Sequence, residues 1–533
     1  MSIPSILRRI FGAIWTGITW VRLALANLLF LVMLAIIYFV YLGGSPEPLP
    51  EQAALLLNPM GTIVDEKSPV EPLQTLLGKP SPADHEVRVR DVIESIDIAA
   101  GDPAINSLVM ELDSLMRVGM SRSLEIVEAL ERFKATGKPV VAVADFFTQD
   151  QYLLASHADE IITHPLGGVA LEGFAAYFNY FADALEKLSV TMHVFRAGKF
   201  KSAMEPFTRS DMSPEEKVSA QNWLDDLWHL YTGTVEAQRE LPAGAIDDYV
   251  EGFARRLVAQ GGDTARDALD AGLVDRLLSR GDTNAYLVET VGAADDEGLY
   301  EAVPFEYYLS RKRSRDFLHS GDRIAVITAQ GNILPGDQPP GVIGGDTLAL
   351  VINSVSKEPG VRAIVLRVVS GGGSMFASEV IREQVLAARA AGIPVVVSMG
   401  SVAASGGYYI AADADEIWAT PATITGSIGV FAAFPTFEGL LERAGVHTDG
   451  VGTTTLAGSL RADRPLDPEL GAALNAGVGN AYQGFLKVVA EGRGMSVEEV
   501  VAVAEGRVWS AADALEAGLV DHLGGLAQAI DSA

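Results

Sequence analysis

The 533-residue chain has no cysteine. That excludes a disulfide framework and a thiol nucleophile. It has only eight histidines, none at the spacing of a metal site, so neither a metal nor a cofactor is expected. Positive charge is scarce as well: 40 Lys and Arg stand against 69 Asp and Glu, a formal net charge of −29. Such a surface argues against nucleic-acid binding, which draws on a basic face, and against broad adhesion to anionic lipid. What is present is the composition of a folded protein, 49% hydrophobic and 20% charged. The length is too great for one core, so two or more domains are expected.

One run is built for lipid. Leu23 to Leu42 reads LALANLLFLVMLAIIYFVYL, 20 residues without a charge. That is long enough to cross a hydrocarbon core of about 30 Å. Arg8, Arg9 and Arg22 precede it and Gly43-Gly44-Ser45-Pro46-Glu47-Pro48 follows. Positive charge on the N-terminal side puts residues 1–22 in the cytoplasm and the body of the chain across the membrane. Tyr38, Phe39, Tyr41 and Leu42 occupy the exit where a cleaved signal peptide has small residues, so a retained single-pass anchor is expected over 23–42. Phe11 to Val21 reads as an amphiphilic segment lying along the inner surface.

The body is a duplication. HADEIITHP from His157 matches DADEIWATP from Asp413, and DPAINSLVMELDS from Asp102 matches EPGVRAIVLRVVS from Glu358, both 256 residues apart. GKPVVAVAD from Gly137 matches GIPVVVSMG from Gly392, and DALDAGLVDRL from Asp267 matches DALEAGLVDHL from Asp513. The expected domains are an N-terminal repeat over 53–283, a linker over 284–321 and a C-terminal repeat over 322–533. Each repeat alternates short apolar runs with helical patterns. Ala53–Leu57 and Ile324–Ile327 read as first strands, Ser107–Leu112 and Ala363–Val369 as second strands. This is α/β architecture with largely parallel pairing.

The copies differ where chemistry would sit. The second holds Pro394 to Phe431, in which a β-branched run leads into a small-residue turn, Gly400 to Gly407, and then a helical segment, Tyr408 to Glu416. Ser405 stands on that turn, next to Gly406 and Gly407. A serine held out on a strand-to-helix turn has the exposure and the nearby N–H groups that a nucleophile needs. The first copy has Gln149 at the matching place and lacks both glycines. The second also has Ser370-Gly371-Gly372-Gly373-Ser374, where the first has Ser114-Leu115-Met116-Arg117-Val118. Glycines there let the backbone approach a substrate and offer N–H groups. For a base, His447 has no acidic neighbour to orient it, and His522 sits in the shared end motif. Lys201 is the better candidate. It stands in FRAGKFKSAMEPF among Phe200, Ala203, Met204 and Phe207, and an apolar setting lowers a lysine's pKa. The serine exists only in the second copy and the lysine only in the first.

These residues resemble the signal peptide peptidase A family (protease IV) in its long, tandem-repeat, membrane-anchored bacterial form. The motifs that carry the resemblance are FKSAMEPF at Phe200–Phe207, SGGGS at Ser370–Ser374, AASGGYYIA at Ala403–Ala411 and TGSIGV at Thr425–Val430. The resemblance implies two tandem repeats of the Clp protease and crotonase type, spiral ββα units, behind a transmembrane helix. It implies a Ser–Lys dyad split across the repeats, with Ser405 as nucleophile and Lys201 as general base. Ser427, whose counterpart in the first copy is Leu171, would orient the lysine, and the N–H groups of Gly372 and Gly406 would hold the oxyanion. Gly371 departs from the family's usual proline and should loosen that loop. The implied function is an endopeptidase cutting signal peptides and other hydrophobic peptides, as a homotetramer in the bacterial inner membrane with a periplasmic catalytic body. A crotonase-like acyl-CoA enzyme and a non-catalytic membrane scaffold are the alternatives on the same fold.

Overall fold

A computed structural model describes residues 3–41, 49–69, 85–313 and 321–533. The chain divides into two units, residues 1–51 and 52–533. The first is built on one helix, Ile3–Tyr41, of 39 residues. At 1.5 Å per residue it is roughly 58 Å long. Its stretch Ile14–Tyr38 is long and apolar enough to cross a membrane. The sequence suggests a surface segment over 11–21 and a separate span over 23–42. The two are instead one uninterrupted helix, because no proline stands between Phe11 and Tyr41 to end it. Arg22 therefore lies inside the apolar stretch, and Leu42 lies outside the described residues.

The second unit opens with strands β1 (Ala53–Leu57), β2 (Ile105–Glu111), β3 (Val140–Ala144), β4 (Glu160–Thr163), β5 (Thr191–Ala197), β6 (Arg276–Leu277) and β7 (Ala302–Pro304). Six of them form a parallel sheet in the order β7-β1-β2-β3-β4-β6. The second repeat supplies β8 (Arg323–Gln330), β9 (Val361–Ser370), β10 (Val395–Ala404), β11 (Glu416–Ala419), β12 (Ile424–Gly426), β13 (Val430–Thr436), β14 (Val508–Ser510) and β15 (His522–Leu523). Its sheet runs β8-β9-β10-β11-β15, all parallel, with β12 beside the far end of β10 and β14 antiparallel to β12. The order β1-β2-β3-β4-β6 in one repeat is the order β8-β9-β10-β11-β15 in the other. Strands buried on both faces read as continuous apolar runs, which is why Leu108, Val109 and Met110 in β2 and Ile364, Val365 and Leu366 in β9 are all fully buried.

The repeated motifs have a structural cause. Asp159 and Asp415 accept from the N–H groups of Val140 and Val395, the first residues of β3 and β10, each at 2.8 Å. Asp275 and Asp521 accept in the same way from Ile161 and Ile417, again at 2.8 Å. The hydroxyls of Tyr152 and Tyr408 donate to the carbonyls of Leu273 and Leu519. The first pair ties the start of β3 or β10 to the residue before β4 or β11, and the other two tie the end motif of a repeat to β4 or β11 and to the helix that carries the tyrosine.

Two other expectations change. Residues 284–313 are not a plain linker: they carry the end of helix Arg280–Val291, strand β7 and helix Phe305–Lys312, and β7 joins the first sheet beside β1. The apolar side chains Val303, Phe305 and Tyr308 are buried there. The helical segment expected over Tyr408 to Glu416 is shorter, Gly406–Tyr409, and Glu416 opens β11. Tertiary bonds stop it, because Asp415 is held by Val395 and Asp413 by Arg382.

Two of the places where the repeats meet frame the site. Strands β5 and β13 pair antiparallel over seven residues, from Thr191 opposite Thr436 to Ala197 opposite Val430. In addition Arg367, on β9 and 1% exposed, donates to Asp65 at 2.8 Å and Glu125 at 2.7 Å, both of the first repeat, and to Ser398 at 2.9 Å. Replacing Arg367 by Met leaves the buried Glu125 without a cation and Asp65 with Arg122 alone, which is expected to lower unfolding stability by about 3–5 kcal/mol in denaturant titration. Replacing Arg362, whose pair with Asp322 is largely exposed, is expected to change it by less than about 1 kcal/mol.

Candidate active site

The β5–β13 register places the first two residues. Lys201 lies four residues beyond Ala197 and Ser427 three residues before Val430, and Ala197 and Val430 face each other. The antiparallel chains therefore leave the ladder at the same end. Lys201 Nζ lies 2.8 Å from the Ser427 carbonyl and 2.9 Å from Ser427 Oγ. Ser405 is brought in from β10: its N–H donates to the carbonyl of Gly426 at 2.8 Å, and its Oγ lies 2.9 Å from Lys201 Nζ. The amine and both hydroxyls belong to one chain.

Ser405 has φ +55° and Ser427 φ +52°, the left-handed region that a side chain resists. Such strain costs of order 1–3 kcal/mol per residue and is found where the surroundings over-determine the backbone. Lys201 is 5% exposed, and burial pulls its pKa down from 10.5 to about 8. No carboxylate lies in salt-bridge contact with it among the described residues, so the ammonium has no counter-charge to offset desolvation.

The glycine loop after β9 packs against the serine turn. A Cβ on Gly372 would stand 2.8 Å from Ser405 Cβ and 2.6 Å from Gly406 N, so this approach requires glycine. The expected pair of N–H donors is only partly available. The Gly406 N–H has no acceptor among the described residues, but the Gly372 N–H already donates to Ser370 Oγ at 3.1 Å. The next amide, Gly373, has no acceptor among the described residues, and its N lies 3.1 Å from where a Cβ on Gly406 would stand. The sequence gives no means of choosing between adjacent glycines, because the choice depends on the Ser370 side chain.

A cavity of about 830 Å³ opens on Lys201, Ser405, Gly372 and Gly373, walled by Leu334, Met375, Tyr409, Phe431 and Phe485. Tyr409 lines it, whereas Tyr408 is fully buried and does not. His447 is exposed on a loop and His522 stacks on Trp418, and neither lines the cavity. At the matching place in the first repeat, Gln149 fills the gap with its amide, accepting from the N–H groups of Glu172 and Gly173. Sequence reasoning missed Glu505 to Arg507, which pack against both Lys201 and Ser427. Their signal is a backbone conformation, φ +57° at Glu505 and +79° at Gly506, that the residue string AEGRVWS does not announce.

Comparison with known proteins gives the following. The family model described as "Peptidase family S49" matches residues 132–293 and 387–533. "Protease 4" of Salmonella typhi is 40% identical over 97% of this chain and 84% of its own length. "Protease 4" of Haemophilus influenzae is 37% identical over 97% of this chain and 85% of its own length. "Serine protease SPPA, chloroplastic" of Arabidopsis thaliana is 32% identical over 81% of this chain and 63% of its own length.

The buried lysine sets a sign for pH dependence. Its pKa is lower folded than unfolded, so the unfolded chain holds the extra proton between about pH 8 and 10.5. The penalty on the fold is full below pH 8 and is relieved as pH rises through that window. Relative to Lys201→Met, the parent is expected to gain stability between pH 8 and 10.5, by up to roughly 3 kcal/mol, in denaturant unfolding at the two pH values.

Proposed function

Because this chain belongs to peptidase family S49, we propose that it is a membrane-anchored serine endopeptidase working through a Ser405–Lys201 dyad. The observation that carries the reading is the 2.9 Å approach of a buried amine to a serine hydroxyl with two further acceptors behind it. A neutral amine has two N–H groups and one lone pair. With both N–H groups donated to Ser427, the lone pair is left toward Ser405, whose hydroxyl donates into it. Lys201 then takes the proton as Ser405 Oγ attacks the peptide carbonyl, and returns it to the leaving amine. Water hydrolyses the acyl-enzyme by the same route. The N–H groups of Gly406 and Gly373 hold the oxyanion. Gly372, the donor expected from the sequence, supplies the close backbone approach instead, with its own N–H kept by Ser370.

The substrate proposed is an extended apolar peptide, with signal peptides as the class. The cavity wall of Leu334, Met375, Val430, Phe431 and Phe485 suits apolar side chains, and Gly429 to Ala433 offers backbone to an added strand. The helix Ile3–Tyr41 serves as the single-pass anchor of a bacterial inner membrane, its N-terminus cytoplasmic and the catalytic body periplasmic.

Assembly as a homotetramer is proposed on a surface argument. In the second repeat, a crevice of Arg367, Thr420 and Leu526 receives Ser121 and Glu125 of the first repeat. The matching crevice of the first repeat, with Glu111, His164 and Arg280 at those places, is an open cavity of about 340 Å³. Helix Met375–Ala390, the counterpart of Met120–Lys134, carries Phe376 at 73% exposure. Helix of one copy into crevice of the next is a head-to-tail contact, and such contacts close into a ring where the rotation between copies closes.

A fluorophosphonate probe tests the chemistry. Ser405 is expected to be labelled in the parent, faster as pH rises through 8, and Ser405→Ala is expected to be silent. Lys201→Ala is expected to lose roughly 10²–10⁴-fold in hydrolysis of an apolar peptide ester while staying folded. Full activity in purified Lys201→Ala overturns the dyad, and an unlabelled parent favours the acyl-CoA enzyme or the scaffold.

A further inference from the structure

The lysine and Ser427 share a third neighbour that no motif announces. Helix Val497–Val503 ends at Ala504, and Glu505-Gly506-Arg507 follow before β14. The Phe200 N–H donates to the Glu505 carbonyl at 2.7 Å, one residue before Lys201. The Gly506 N–H donates to the Ile428 carbonyl at 2.8 Å, and the Ser427 N–H to the Arg507 carbonyl at 2.7 Å. Consecutive carbonyls and amides of one three-residue segment thus hold the base's loop on one side and the turn that orients it on the other.

The contact is too close for a side chain. A Cβ on Gly506 would stand 2.6 Å from Lys201 N, 2.7 Å from its Cα and 2.7 Å from its Cβ. From the other partners the approach is tight as well. A Cβ on Gly198, at the start of the lysine loop, would stand 2.7 Å from the Glu505 carbonyl carbon. One on Gly429, beyond Ser427, would stand 3.1 Å from Gly506 Cα. Three glycines from three segments let their backbones meet. Arg507 closes the arrangement, its guanidinium 4.4 Å from the Phe200 ring centroid and 5.0 Å from that of Trp509.

We propose that Glu505–Arg507 is a positioning strap for the general base, with Gly506 the residue that sets the Lys201 amine within reach of Ser405. The inference rests on the dyad reading. Gly506 acts through Lys201, so a side chain there shifts the lysine backbone and lengthens the Nζ–Oγ approach without removing any reacting group. A displacement of about 1 Å can cost on the order of 10²-fold in rate.

The test compares Gly506→Ala with Gly518→Ala in the full chain, using an apolar peptide ester across a pH series. Gly518 has φ +71°, close to the +79° of Gly506, and nothing within 4 Å of its added Cβ. It therefore carries the backbone strain without the clash. Gly506→Ala is expected to lose about 100-fold in kcat with KM within about twofold. Its acid limb is expected to move up by about one pH unit as the amine gains water. Gly518→Ala is expected to keep kcat within about twofold and the limb unmoved. Arg507→Met, which keeps the strap's backbone and removes the guanidinium from Phe200, is expected to shift the limb in the same direction by less. Unchanged kcat and limb in Gly506→Ala overturn the strap, as do equal losses in the two glycine variants. If Lys201→Ala is itself fully active, the dyad reading fails instead, so the two failures are distinguishable.

Discussion

The seven-residue antiparallel ladder between β5 and β13 is the constraint on which the site depends. It is the place where main chain from the two repeats pairs strand to strand. Because antiparallel strands pair residue by residue, the register that sets Ala197 opposite Val430 also fixes how far Lys201 and Ser427 can be from each other. The Gly426 carbonyl then takes the Ser405 N–H, so the serine is located relative to Ser427 rather than to the lysine directly. A one-residue slip in the ladder would turn every side chain of β5 to the other face. The buried Arg367 with Asp65 and Glu125 braces the same junction from the other side of the molecule's sequence, joining β9 to the first repeat.

The site is held against its own preferences. Ser405, Ser427 and Glu505 each have positive φ, and Lys201 is buried without a counter-charge. At about 1–3 kcal/mol for each strained residue, and up to roughly 3 kcal/mol for the amine, the total is comparable to the stability of an ordinary domain. The rest of the fold must supply the difference. The duplicated aspartate bonds brace the starts of parallel strands in both repeats, and the tyrosine bonds tie each end motif to a helix of its own repeat. Duplication thus provides two well-braced frames, and the reactive groups occupy only the seam between them. Gln149 shows the contrast: where no chemistry is needed, the corresponding position is an amide satisfied by its own neighbours.

The α/β repeats were legible because buried parallel strands leave β-branched runs and because self-similarity exposes the duplication. Lys201 and Ser405 were legible as positions where the copies differ, and Ser427 through the family resemblance of TGSIGV. Three of the features that were not legible show why. The segment 284–313 reads as a linker because its acidic and glycine-containing start hides a three-residue strand, β7, whose only evidence is its partner β1. The helix over 408–416 reads as longer than it is because Asp413 and Asp415 look like solvent-facing residues, while they are held by Arg382 and by the start of β10. Gly372 and Gly373 are indistinguishable by type, and only the Ser370 hydroxyl separates them. In the first two cases a long-range partner decided what a local pattern could not, and in the third a side chain two residues away did.

The central claim is that one chain's two halves supply the base and the nucleophile to each other. Co-expression of Ser405→Ala chains with Lys201→Ala chains, followed by peptidase assay of the purified mixture, tests it most directly. Each chain then carries only one intact member of the pair. The account predicts no activity above the sum of the two single variants, and recovery to a substantial fraction of the parent's activity would contradict it.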